Sequence, residues 1–343
     1  MKVSDLGEFG LINLIHKSTS LYSDPAHTPW QEVLVGIGDD AAAWRMGDHI
    51  LLATTDTLVQ GVHFDLGVIT WEELGWKALA VNLSDIAAMG GVPKYALLSL
   101  ALPGELETAD ISEFIKGMMR LAREFSLAVI GGNTAAAPNV VITLTIIGCS
   151  RGEAILRRST ARAGDQIAVT GYPGLSAAGL EMLGGKTIFD PEASGMLRRA
   201  HLRPTPRIEE SRILIEQGVR TAIDTSDGLV ADLDHICECS NVGARISIDQ
   251  IPVHPVVKTC FPNHRELALS GGEDYELLFT ADQATVARAR QALSCPVTVI
   301  GDIVEDQRSS SRVTVIDGRG DTISCGRGGW DHFKHGVAKA NHP

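Results

Sequence analysis

Five short stretches of this 343-residue chain set acidic residues beside glycine or apolar sequence, away from other solvated side chains. Asp39 and Asp40 follow a glycine turn in "VGIGDDAAAW", Asp56 ends the strand-like "ATTDTL", and Asp85 follows Asn82 in "VNLSDIAAMGG". Asp224 and Asp227 stand in "AIDTSDGL", and Glu273 with Asp274 follows the Gly-Gly of "LSGGEDYEL". Singly, each could be a helix cap or a turn residue. Together they raise a question of charge. Two unit charges about 4 Å apart repel by roughly 4 kcal/mol at an effective dielectric near 20. Several such pairs would exceed a domain's net stability of about 5–15 kcal/mol. Convergent acids would therefore need protons or cations. Carboxylate, Thr hydroxyl and amide oxygens select hard cations such as Mg²⁺ or Mn²⁺. A cation-loaded acidic site suits phosphate substrates, which bare acids would repel. Asp39-Asp40 then reads as a ligand turn, with one carboxylate facing the ion and the other available to the backbone.

The elements that must position these acids follow from the hydrophobic pattern. Gly7 to Lys17 reads as a short amphipathic helix and 22–31 as a loop, with extended segments at 33–36 and 50–55. A period of two puts Thr54 on the face of Asp56 and Thr55 on the opposite face. Thr70-Trp-Glu-Glu73 is a capping box opening a helix through Leu74, Ala78 and Val81, stopped by Gly90-Gly91 and Pro93. A strand at 95–103, a helix at 108–126, and strands at 127–132 and 139–148 complete the first half. The basic, turn-like run 151–165 changes the texture. Beyond it come strand "QIAVTG", helices near 174–184 and 207–218, strand "TAID" and a helix from 228. Strands "ARISID" and "YELLFT", a helix at 282–293 and strand "VTVIGDI" close the pattern. Both halves mix strands with helices, which predicts two α/β domains over 1–150 and 151–343.

Bulk properties narrow the function. The chain is 44% hydrophobic and carries a formal net charge of -12, with no Lys/Arg block, which argues against nucleic acid or an anionic membrane as partner. No signal peptide is visible at the N-terminus, and no apolar run is long enough to span a bilayer. Six scattered cysteines show no zinc-site spacing, so a reduced, cytoplasmic location is expected. The stretch "LEMLGGKT" lacks the leading glycine of a phosphate-binding loop and reads as a helix end capped by Gly184-Gly185. "GIGDDA" fails the dinucleotide-binding pattern. If the protein handles ATP, it does so without the usual cradle.

The ordered series "GIGDDAA", "TTDTLVQGVHF", "KALAVNLSDIAAMGG", "HLRPTPR", "AIDTSDGL", "SGGEDYEL" and "GGWDHF" resembles the thiamine-monophosphate kinases of the aminoimidazole-ribonucleotide synthetase superfamily, over about residues 7 to 333. The resemblance implies direct, in-line transfer of the γ-phosphate of ATP to thiamine phosphate, with several Mg²⁺ ions and no phosphoenzyme. It also implies a homodimer in which N-terminal α/β domains pair their sheets into a barrel and the C-terminal α/β domain packs beside them.

Carried over by position, the resemblance assigns Asp40, Thr54, Thr55, Asp56, Asp85, Asp224 and Asp227 to metal, Thr55 through its carbonyl. Gly132, Arg158 and Ser226 match nucleotide contacts. His63, Glu273 and Trp330 match positions that meet thiamine phosphate, where an indole face suits a cationic thiazolium. One departure stands out. The family commonly reads Gly-Gly-Asp-Thr where this chain has "GGNT", so Asn133 takes a metal- and ATP-binding position without its charge. No acid/base residue is required, because the acceptor phosphate is already ionised. Two alternatives share the scaffold: a catalytically impaired nucleotide-binding protein, hinted at by Asn133, or another ATP-dependent enzyme of the superfamily.

Overall fold

The computed structural model describes residues 2–21, 28–150, 152, 154–185, 189–306, 312–323 and 333. Strands β1 (Val33–Val35), β2 (Ala42–Met46), β3 (His49–Val59), β4 (Gly91–Leu102), β5 (Ala128–Ala136) and β6 (Val141–Ser150) form one sheet, ordered β1-β2-β3-β6-β4-β5. Every neighbouring pair is antiparallel except β4 with β5. The second sheet takes β7 (Gln166–Thr170), β8 (Thr221–Asp224), β9 (Val242–Ser247), β10 (Leu277–Ala281), β11 (Val297–Glu305), β12 (Val313–Ile316) and β13 (Thr322–Ile323). Its order is β13-β12-β9-β11-β7-β10-β8, with β12 and β9 the parallel pair. The helices are α1 (Val3–Ser20), α2 (Thr28–Glu32), α3 (Trp71–Ala88), α4 (Thr108–Glu124), α5 (Leu175–Gly184) and α6 (Pro191–Leu202). They continue with α7 (Ile208–Gln217), α8 (Leu229–Ser240), α9 (Pro255–Cys260), α10 (His264–Ser270) and α11 (Gln283–Ala292). The result is a two-domain α/β fold built on mixed sheets.

In β6, Ile142, Leu144 and Ile146 are buried under the helices while Thr143 and Thr145 turn to the more open face, the alternation expected of a sheet covered on one side. α4 buries Phe114, Gly117, Met118, Leu121 and Ala122, the stripe of an amphipathic helix. α3 is different. It opens with the expected capping box, the Thr70 hydroxyl accepting from Glu73 N and the Glu73 carboxylate accepting from Thr70 N. Nearly every residue after that is buried, because α3 packs on the first sheet, α4, α6, α7 and β8 at once. Gly75 and Gly117 allow the close approach of α3 to α4: a Cβ on Gly75 would stand 1.9 Å from Phe114 O, and one on Gly117 1.8 Å from Glu72 O.

The two domains are tied through α3. Arg198 of α6 grips Glu73 through Nε at 2.9 Å and Nη2 at 2.5 Å, and Trp76 Nε1 donates to Pro204 O at 2.9 Å. The Arg203 guanidinium lies over the Trp76 ring. Three sequence expectations need correction. Thr28–Glu32 is helical where a loop over 22–31 was expected, and 22–27 lie outside the described residues. α3 ends at Ala88, just before Gly90 as expected, but β4 starts at Gly91 rather than at 95 and takes in Pro93, before the β5 pairing begins, where its missing N–H faces no second neighbour. α6, α9, α10, β2, β12 and β13 were not anticipated; α6 carries its own start signal in the Asp190 cap followed by Pro191.

Candidate active site

The main cleft, about 2350 Å³, is lined from both domains. At one end, ligand atoms of Asp40, Asp85 and Asp224 lie within 4.8 Å of one another. Asp40 comes from the turn after β1, Asp85 from the last turns of α3 and Asp224 from the end of β8. The face of β3 that carries Thr54 and Asp56 turns toward α3. Thr54 Oγ1 donates to Asp85 Oδ2 at 2.5 Å, and Asp56 N donates to Asn82 Oδ1 at 3.0 Å. Thr55 faces the other way, its hydroxyl donating to Leu144 O at 3.1 Å. Ser84 Oγ donates to Asp224 Oδ2 at 2.5 Å, joining α3 to the second domain inside the site.

Asp39 and Asp40 divide as a ligand turn would. Asp39 accepts from the backbone N–H of Asp40 at 3.1 Å and of Arg158 at 3.2 Å. Asp40 turns inward with its side chain 1% exposed; Arg158 bonds its Oδ1, and its Oδ2 is buried without a hydrogen-bond partner among the described residues. Burial and the neighbouring acids push Asp224 up to about 8 and raise Asp85 well above the carboxylate range. Burial and Asp40 push Asp39 up to about 7. An orphaned buried oxygen, oxygen-only donors and like charges without enough counter-charge together fit a hard divalent cation.

The other end of the cleft has mixed charge. Lys77 lies two turns before Asp85 on the same face of α3 and is 1% exposed. Its ammonium sits 2.9 Å from Glu273 Oε1. Burial opposes ionisation of Glu273, but the Lys77 ammonium outweighs it and holds the carboxyl below its ordinary value. Burial pushes His201 down to about 4, so its 3.5 Å approach to Glu273 is that of a neutral ring. Val59 N donates to His63 Nδ1 at 3.0 Å, which in the neutral ring leaves the proton on Nε2.

Ser226 and Asp227 lie in the turn between β8 and α8 and line the same cleft. Asp232, unanticipated from sequence, is 1% exposed and reaches back to accept from Gly228 N at 3.0 Å, bracing that turn. Lys77 was also missed, although its spacing to Val81 and Asp85 by fours marked a shared helix face. Gly132 and Asn133 do not line the cleft. They lie on edge strand β5, where a Cβ on Gly132, at φ 153°, would stand 1.6 Å from Leu98 O. Trp330 lies outside the described residues.

Fold and cleft together define a class. Family models for the N-terminal and C-terminal domains of AIR synthase related proteins match residues 38–150 and 162–314. Thiamine-monophosphate kinase of Bacillus subtilis is 37% identical over 339 residues, covering 96% of this chain and 100% of the relative. The Escherichia coli protein of that name is 38% identical over 334 residues, covering 95% and 98%. A solved structure described as AaThiL complexed with AMPPCP and TMP superposes with a TM-score of 0.81 at 36% identity, covering 97% of this chain and 99% of that one. The chain belongs to the AIR synthase related family, within its thiamine-monophosphate kinase branch.

Proposed function

We propose that this chain transfers the γ-phosphoryl group of ATP directly to the phosphate of thiamine phosphate, forming one new P–O bond and releasing ADP. The observation that carries the reading is the convergence of Asp40, Asp85 and Asp224 in a cleft shared by both domains, with one buried carboxylate oxygen unpartnered among the described residues. These three residues hold Mg²⁺, with Thr54, Asp56, Asp227 and the Thr55 carbonyl as further donors. Bound there, Mg²⁺ neutralises polyphosphate charge and polarises its oxygens.

The chain's own groups bind and align. Arg158 and Ser226 meet the nucleotide, and the Arg158 guanidinium holds the Asp39-Asp40 turn in place. His63 offers an Nε2–H donor to the acceptor phosphate. Glu273, kept anionic by Lys77, stands as counter-charge for the cationic thiamine, with Trp330 as an aromatic face. The attacking oxygen is already ionised at neutral pH, so alignment replaces general-base catalysis.

The protein works in the cytoplasm as a homodimer whose N-terminal sheets pair into a barrel. Two features support the pairing. Ile130 on β5 and Tyr95 on β4 are 58% and 48% exposed. In addition, β6 and β4 separate β5 from β3, a lateral offset of roughly 14 Å at about 4.8 Å per strand. Gly132 and Asn133 therefore serve the nucleotide site of a second copy. Purified protein incubated with ATP, thiamine phosphate and Mg²⁺ should yield thiamine diphosphate and ADP in equal amounts by chromatography. ATP binding without turnover at any Mg²⁺ concentration would replace this reading with a nucleotide-binding protein.

A further inference from the structure

The loop 272–276 spends its side chains in consecutive, different ways. Glu273 goes to Lys77. Asp274 turns away and accepts from Gly174 N at 2.6 Å and Ser176 N at 2.9 Å, fixing the start of α5. Glu276 pairs with Arg207 through both oxygens and accepts from Thr170 Oγ1 at 2.6 Å. Tyr275 has no such anchor for its side chain. It is 8% exposed and lines the cleft, and among the described residues its hydroxyl has no hydrogen-bond partner.

Its backbone is strained. Tyr275 has φ 52°, in the left-handed region, where a bulky aromatic residue is an outlier. Such strain persists only where neighbours hold it, and it concentrates at ligand sites. Here the neighbours belong to the acid loop. Tyr275 N donates to Thr225 O at 2.8 Å, Glu273 N to Ser226 O at 2.8 Å, and Thr225 N to Glu276 O at 2.9 Å. The consequence is a phenol within the fields of Glu273, Asp56, Asp224 and Asp85. Burial among carboxylates keeps it protonated, hence a neutral donor beside the acids.

We propose that Tyr275 is a further catalytic residue whose O–H donates a hydrogen bond to a phosphate oxygen of the bound substrates during transfer. The inference rests on the phosphoryl-transfer reading above. A donor already fixed in position assists charge redistribution without reorganising, and adds no charge to a crowded site.

Tyr275→Phe removes one oxygen and keeps ring and backbone. It should lower kcat by about tenfold to a hundredfold, while KM for thiamine phosphate, Mg-ATP affinity and Tm stay near wild type. Tyr275→Asn, a residue that tolerates positive φ, tests the loop itself. If Tyr275 only shapes the loop, Tyr275→Phe will match wild type and Tyr275→Asn will raise KM, overturning the proposal. A Tyr275→Phe protein that fails to fold would also overturn it, by assigning the hydroxyl to the fold. Absence of wild-type turnover would instead sink the phosphoryl-transfer reading on which the proposal stands.

Discussion

Asp224 and Glu273 face one cleft and carry the same kind of charge, yet their neighbours have opposite signs. Burial raises the Asp224 carboxyl, Asp40 and Asp56 add to it, and Arg158 is insufficient against them, so it rises to about 8. Around Glu273 the Lys77 ammonium outweighs the opposing burial, and the carboxyl falls. The first end is incomplete without a cation from solution, whereas the second carries its counter-charge on α3. Under the proposed function, the difference separates the work of the cleft: polyphosphate with metal at one end, an organic cation at the other. α3 joins both ends, with Asp85 at one and Lys77 at the other.

The largest effect should come from the acid end. Asp85→Asn or Asp224→Asn should reduce ADP release by about a thousandfold or more, since phosphoryl transfer depends on charge neutralisation. Equal loss from Glu273→Gln would erase the distinction between the ends; that variant should mainly raise KM for thiamine phosphate. Next, Lys77→Met strands Glu273 and should cost about 3 kcal/mol in denaturant unfolding. Adding Glu273→Leu should restore more than half of that. No restoration would mean that Lys77 stabilises through packing alone.

Titration sharpens the same contrast. Asp224 rises from 3.8 unfolded to about 8 folded, so the folded chain binds more protons across that window. Without cation, this site's contribution to stability should fall as pH rises from 4 to 8. Glu273 acts in the opposite sense: its contribution is present above the unfolded value of 4.5 and is lost as pH falls. Mg²⁺ should therefore raise Tm more at pH 8 than at pH 5, and a pH-independent shift would remove Asp224 and Asp85 from its binding. The smallest effect belongs to Asn133→Asp. One added unit of negative charge, about 1 kcal/mol, should lower the Mg²⁺ needed for half-maximal rate severalfold.

Much of this was readable in residues. The period of two put Thr54 and Asp56 on one face, and Thr145 Oγ1 indeed donates to Thr55 Oγ1 on the other. The capping box of α3 and the stripe of α4 followed from spacing. Pro93 hid the start of β4, because a proline reads as outside a strand unless one knows that the strand lacks a second neighbour at that point. Lys77 was passed over because a lysine amid apolar residues looks like a snorkelling surface group until its buried partner appears. Tyr275 gave no signal, since positive φ in an aromatic residue is imposed by hydrogen bonds from a loop fifty residues away.

The sequence by itself determined which residue types were available, how they alternate along each strand and helix, and that oxygen donors outnumber cations wherever glycine turns interrupt apolar runs. Those are local properties, set by steric periodicity and side-chain chemistry. Only the tertiary structure decided that Asp40, Asp85 and Asp224 meet while Glu273 finds Lys77. The sign of a carboxylate's neighbours depends on distances between segments far apart in the chain, and those distances are fixed by packing around α3.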